Sequence, residues 1–441
     1  MRTAVDGISA KHHPHPTDCL TETEPALYEI DNVLRDYAWG STTAIAGLLG
    51  RPGSGGPEAE LWIGAHPDSP SVAHDPASGA DIPLDALISG DPEHFLGVES
   101  VSTFGPRLPF LAKVLAAAEP LSLQVHPSLE QAKAGFAREN AEGVAADAPH
   151  RNYRDDNHKP EMIFALTPFE ALCGFRPAAE TRKILAHLVA CFDRAGMQAP
   201  GILHALLADL SAADEGIALR TAVERLISGG EEVSHATALV ATALSSGAPL
   251  APYQAELSTV VDLNGKYPGD PGVLISLLLN RISLKPGESV YLPAGNVHAY
   301  LQGLGVEVMA SSDNVLRGGL TPKFVDVPEL LRTIDFRPVA VPMLAAEKTV
   351  LDQELFRPPF AEFQLQRIEL GPDDGPVPLA QSGAAVIIVV AGSVYLDSPK
   401  GDLHLSRGAS AFLAAAEAPV NVHRVAGSTE PALAFAVTTG L

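Results

Sequence analysis

The chain has 441 residues, enough for two or three domains, and its 46% hydrophobic content is that of an ordinary globular protein. Its 53 acidic side chains outnumber 30 basic ones, a formal net charge of -23 at pH 7, which excludes nucleic acid as a partner because a phosphate backbone is held mainly by Lys and Arg. Cys19, Cys173 and Cys191 form no CxxC pair or disulfide framework, and neither a signal-peptide core nor a membrane-length apolar run is present, so a cytoplasmic protein without a membrane partner is expected.

Residues 1–25 read as a flexible N-terminal tail, and His12, His13 and His15 as part of that Pro-rich segment rather than as a metal site. From Tyr28 to about Arg176 the pattern predicts short strands and turns, with GRPGSGGP from Gly50 as a surface loop. Lys113 sits in the apolar run PFLAKVLAAA, where a lysine is expected to serve a pocket. In LSLQVHP a strand would turn Ser122, Gln124 and His126 to one face, and a buried polar face needs partners or a ligand. In NHKPEMIFAL, Lys159 and Glu161 share a side while His158 points oppositely unless the strand bulges at Pro160.

After Pro177 the period becomes helical. Ile184, Leu185, Leu188, Val189 and Phe192 form the first of four stripes, the last being Ala236, Leu239, Val240, Ala243 and Leu244. Residues 178–250 are therefore expected to be a helical insertion in a discontinuous β domain of residues 26–177 and 251–330. His187, His204 and His235 read as surface or cap residues.

The run GESVYLPAGNVHAYL brings His298 after a Pro and Gly turn. Gln124, His126, Glu161 and His298 together offer two imidazoles, a carboxylate and an amide oxygen, a set that suits a catalytic zinc, one ion per chain, or another divalent metal. With one carboxylate against two charges, such an ion stays a strong Lewis acid. In SDNVLRGGLTPK, Arg317 lies in a Gly-rich loop shortly after the strand of His298, where the bland alternative to a site role is a loop ion pair. Past about Val327 strand runs return, and 331–441 is expected to be a C-terminal jelly roll without metal ligands, since Ala414, Ala416 and Pro419 stand where the run ending in His298 has Pro, Gly and His.

The spacing from Gly287 through Pro293 and Gly295 to His298 resembles the second cupin motif, with Gln302 where that motif ends in Asn. The full set of LSLQVHP, HKPE, PAGNVHAY and DNVLRGGLTPK is similar to type I mannose-6-phosphate isomerase (phosphomannose isomerase), as are YAWGS around Trp39, ELWIGAHP from Glu60 to Pro67 and PFLAKVL. The resemblance implies a mainly β fold of cupin and jelly-roll domains with a helical insertion. It also implies a metal-dependent aldose–ketose isomerase that interconverts mannose 6-phosphate and fructose 6-phosphate through a cis-enediol. Arg317 would then assist the enediolate, with the base among Lys159, Lys113, Glu307 and Asp313, and with Ser122, Lys323, Tyr300 and His158 placed as substrate contacts. An iron-dependent cupin oxygenase and a cupin sugar-phosphate sensor are the rival readings.

Overall fold

A computed structural model describes residues 27–428 and 430–441. The tail, with His12, His13, His15 and Cys19, lies outside the described residues. The fold is mainly antiparallel sheet, with helices gathered between two of its strands.

The strands that matter to the site are β1 (Leu27–Asp31), β2 (Glu60–Ile63), β3 (Phe110–Ala117), β4 (Leu123–Val125), β5 (Glu161–Ala165), β6 (Phe169–Phe175), β7 (Leu279–Leu284), β8 (Ser289–Leu292), β9 (His298–Ala310) and β10 (Leu316–Gly319). All but β1 belong to an 11-stranded sheet built around β9. The first part of β9 pairs with β6 and β4, and the rest, from Gly303 on, runs between β3 and β5. The change of partners falls at a bulge between Tyr300 and Gln302 and at Gly303, whose φ is 138°. A Cβ on Gly303 would stand 2.5 Å from the Phe169 ring, so only glycine fits where the strand re-aims.

Strand alternation divides this sheet into two faces. On one, Ala112, Val114 and Ala116 of β3, Met162 and Phe164 of β5, and Val306 and Val308 of β9 pack on Phe356, Phe363, Phe412 and Phe435 of a second sheet. On the other, Leu115, Ile163, Ala165 and Tyr300 form a separate cluster, and Lys113, Glu161 and Glu307 occupy the remaining positions. Both faces are covered, which is why β3 is buried at all eight residues and reads as a continuous apolar run broken by one lysine.

The second sheet has nine strands, among them Gln364–Leu370, Ala432–Thr438, Ala385–Ala391 and Ser410–Leu413. β1 joins it by pairing Tyr28 with Phe412, and Val72–His74 and Asp81–Pro83 extend it further. The expected boundary between 26–177 and 331–441 is thus crossed by the chain's own N-terminal strands. A four-stranded sheet covers the outer face of the second, through Val394, Leu396, Leu405 and Val422.

Helices span Ala178–Arg194, Gly201–Asp209, Glu215–Ser228, Gly230–Ser245 and Gln254–Lys266 between β6 and β7. The apolar stripes bury Ile184, Leu185, Leu188, Leu203, Leu219, Val223 and Val240 in one cluster, whereas Leu239 of the fourth stripe is exposed. The helical stretch runs past residue 250, because Leu257, Val260 and Leu263 bury a face that outweighs the modest helix propensity of Thr259, Val260 and Val261. The region before Arg176, read as mainly short strands and turns, also holds helices. Ala44–Leu49, Leu84–Gly90, Pro92–Leu96, Val98–Phe104 and Leu129–Ala141 are helical, the last opened by a capping box of Ser128 and Gln131.

Candidate metal centre

Register alone brings three of the expected side chains into a row. Gln124 on β4 lies opposite His298 on β9 and opposite Arg317 on β10, and residues directly opposite in a sheet project to the same face. His126 follows β4 and Glu161 opens β5, so the turn after β4 and the start of β5 meet the first residue of β9.

His126 Nδ1 lies 2.7 Å from the carbonyl of Asn314, and His298 Nδ1 lies 3.1 Å from that of Asn296. A carbonyl only accepts, so each Nδ1 carries the proton and each Nε2 presents a lone pair. Those Nε2 atoms face Glu161, His126 at 3.3 Å from Oε1 and His298 at 3.3 Å from Oε2. His126 Nε2 is buried with no hydrogen-bond partner. Burial holds the His126 imidazole below its ordinary range. Burial pushes the Glu161 carboxyl up, the ammonium of Lys159 beside it pulls the other way, and the group stays well below the carboxylate range.

Three electron-pair donors aimed at one another in a buried space repel unless a cation lies among them. Ligand atoms of His126, Glu161 and His298 lie within 4.8 Å of one another, and Gln124 lines the same inner cavity of about 60 Å³. Two neutral imidazoles oriented by backbone carbonyls, a carboxylate and an amide oxygen fit a divalent metal in a catalytic rather than a closed structural site.

Beside this centre Lys113 lies opposite Glu307 on β9 and Trp62 on β2. Its Nζ is 3.0 Å from Glu307 and 3.4 Å from Glu60, whose other oxygen accepts from Trp62 Nε1 at 2.7 Å. Burial alone would lower the Lys113 pKa, but Glu307, Glu60 and Glu161 outweigh it and raise it, so the ammonium is retained. Burial raises the Glu307 carboxyl against the pull of Lys113. Lys159 Nζ stands 3.4 Å from Glu161. The Tyr300 hydroxyl is buried without a hydrogen-bond partner, and burial with the nearby Glu307 and Glu161 raises its pKa well above the usual value.

A cleft of about 610 Å³ opens over Lys113, Gln124 and Lys159. Ser122, Asp313, Arg317 and Lys323 line it, together with Arg154, which the sequence did not single out. Among the described residues none has a carboxylate within ion-pair distance of Arg154, Arg317 or Lys323. Burial and the charge of Arg154 depress Arg317, and burial with both arginines depresses Lys323. Arg154, Arg317 and Lys323, none held by a carboxylate, converge in one cleft of a protein with net charge -23, and Arg35 lines it too; such a cleft marks an anion site.

Asp313 sits at the rim, 3.5 Å from His66 Nε2. His66, Asp68 and Asp313 also lie close enough to suggest metal ligation. However, the Asp68 backbone N–H donates to His66 Nδ1 at 3.3 Å, leaving the proton on Nε2 to face Asp313. With an N–H rather than a lone pair facing the carboxylate, that arrangement is an ion-pair-range contact and not a ligand set. His158 departs from its expected place as a substrate contact: its side chain points away from the metal trio, and its Nε2 pairs with Glu362. Glu60, Asn296 and Asn314 were also missed as site residues, although each lies in a run quoted for its motif.

No helix among the described residues is long and apolar enough to cross a membrane. The model of the family "Phosphomannose isomerase type I, catalytic domain" matches residues 27–178. Mannose-6-phosphate isomerase of Escherichia coli K12 is 40% identical over 399 residues, covering 90% of this chain and 97% of that one. Its namesake in Rattus norvegicus is 34% identical, covering 89% and 94%. A zinc-bound crystal structure of mannose 6-phosphate isomerase superposes with a TM-score of 0.81 at 37% identity, covering 95% of this chain and all of that one. With likeness of this extent over nearly its whole length, the chain belongs to the type I mannose-6-phosphate isomerase family.

Proposed function

We propose that this protein interconverts D-mannose 6-phosphate and D-fructose 6-phosphate through a cis-enediol, using a zinc held by Gln124, His126, Glu161 and His298. The observation that carries the reading is the adjacency of two subsites: an inward-facing His126–Glu161–His298 trio at the cleft floor, and the cations Arg154, Arg317 and Lys323 along its wall. A bound zinc supplies Lewis acidity that polarises a substrate oxygen.

The chain's own residues do the rest. Arg154 and Lys323 hold the phosphate, and Arg317, in the row with Gln124, reaches the sugar oxygens where enediolate charge develops. Ser122 contributes a hydroxyl on the same wall. Isomerisation moves a proton between C2 and C1, which needs a group able to give and take it. Lys113 is locked as an ammonium between Glu60 and Glu307 and serves as a fixed positive charge. Lys159, the other buried lysine at the floor, has one carboxylate beside it and is assigned the proton transfer. Asp313, at the rim with His66 behind it, orients a sugar hydroxyl. The buried Tyr300 hydroxyl borders the inner cavity with Glu307. The surrounding barrel is read as cupin-type, the C-terminal strands as a jelly roll, and the protein as cytoplasmic.

A coupled assay of fructose 6-phosphate formation from mannose 6-phosphate tests the reading. Turnover without oxygen uptake supports it. No conversion in either direction by metallated protein rejects it, and oxygen consumption would point to a cupin oxygenase instead.

A further inference from the structure

The segment that carries Lys159 lies just before β5 and forms no strand of its own. Its ends are tied down: Asn157 donates to Ser311 and accepts from Ser312 and Asn314, and the Pro160 carbonyl accepts from Ala310. Between those ends the side chains diverge, Lys159 toward the metal trio and His158 toward the second sheet. There His158 meets Glu362, in the turn between Glu354–Phe356 and Gln364–Leu370. The pair is sheltered, with side-chain exposures of 21% and 12%. The turn bearing Glu362 is itself anchored by fully buried Phe363 and by Phe360, edge-on to Tyr291 of β8 at 5.8 Å. Burial raises the Glu362 carboxyl, but His158 outweighs it and keeps the group below its ordinary range.

We infer that Glu362 is a positioning residue for the reaction: a carboxylate from the C-terminal strands that, by holding His158, sets where Lys159 stands on the cleft floor. The inference rests on the isomerase reading and on the place of Lys159 at the cleft floor, 3.4 Å from Glu161. A lysine tethered on one side only would sample several positions, and a displacement of about 1 Å at a reacting group can cost about a hundredfold in rate. The C-terminal unit thereby takes part in the active-site geometry without touching substrate.

The test uses the full, metal-loaded chain and steady-state kinetics with mannose 6-phosphate. Glu362→Gln keeps the acceptor oxygen at the same reach and should retain most of kcat. Glu362→Asp keeps the charge but withdraws the oxygen by one carbon, and should lower kcat about tenfold or more with KM little changed and metal content unaltered. Glu362→Ala should behave like Glu362→Asp, and combining it with His158→Ala should cost no more than His158→Ala alone, since one residue acts through the other. Losses that multiply in the double variant would overturn the inference, as would near-normal kcat in Glu362→Asp and Glu362→Ala whatever their melting temperatures. An inactive parent enzyme would instead reject the isomerase reading, so the two failures are distinguishable.

Discussion

Backbone carbonyls aim both imidazoles at Glu161, so the ligand geometry depends on the loops that present those carbonyls. Asn314 is fully buried: its side chain accepts the Arg154 N–H at 2.7 Å and donates to the carbonyls of Asp155 and Asn157, while its own carbonyl faces His126. Asn314→Ala should therefore weaken metal binding about ten- to a hundredfold, as second-layer changes do at metal sites, when measured by chelator competition. Unchanged affinity would show that the loop holds the carbonyl without the amide. Arg154 belongs to the anion wall. Arg154→Ala should raise KM for mannose 6-phosphate with kcat changed much less, because a phosphate contact present in both ground and transition states is uniform binding. A kcat loss at constant KM would place Arg154 at the chemistry instead. That Gln124, His126, Glu161 and His298 come together was legible because their motifs fix residue type and spacing. Arg154 was not, since it lies in an irregular loop with no period, and only its convergence with Arg317 and Lys323 gives it meaning.

At the level of elements, β9 links the ligand row to the Lys113 cluster. Its first residue is His298 of the candidate metal trio and its second half carries Glu307 opposite Lys113. Gly303 lets one strand serve both. Gly303→Ala should destabilise the protein by about 1–3 kcal/mol, through overpacking against Phe169 and a backbone angle that L-residues rarely adopt. Urea unfolding checks this, and a change below about 0.5 kcal/mol, the size of an ordinary surface effect, would mean the strand bends elsewhere. The four helical stripes were readable because apolar residues recur at helical spacing over many turns. The short helices of Ala44–Leu49 and Pro92–Leu96 span five or six residues, too few for a period to emerge. The partnership of β1 with Ser410–Leu413 joins residues nearly four hundred apart, and nothing local in either strand announces it.

For the molecule as a whole, the sheet bearing the site is pressed on its outer face by the C-terminal strands, with Phe164 against Phe356 at 5.1 Å and Phe435 at 5.2 Å. The same alternation that buries Met162 and Phe164 there delivers Glu161 to the metal centre, so packing and chemistry share one strand. The surplus of negative charge is spread over the protein while the unpaired cations collect in the cleft, which favours a small phosphorylated ligand over any extended polyanion. The central claim is that His126, Glu161, His298 and Gln124 hold one divalent metal on which isomerisation depends. Metal content and mannose 6-phosphate turnover measured on one preparation, before chelation, after it and after zinc is returned, test that claim most directly. About one ion per chain, loss of turnover on its removal and recovery on its return are predicted, with Glu161→Gln failing to recover. Full turnover by rigorously metal-free protein would contradict it.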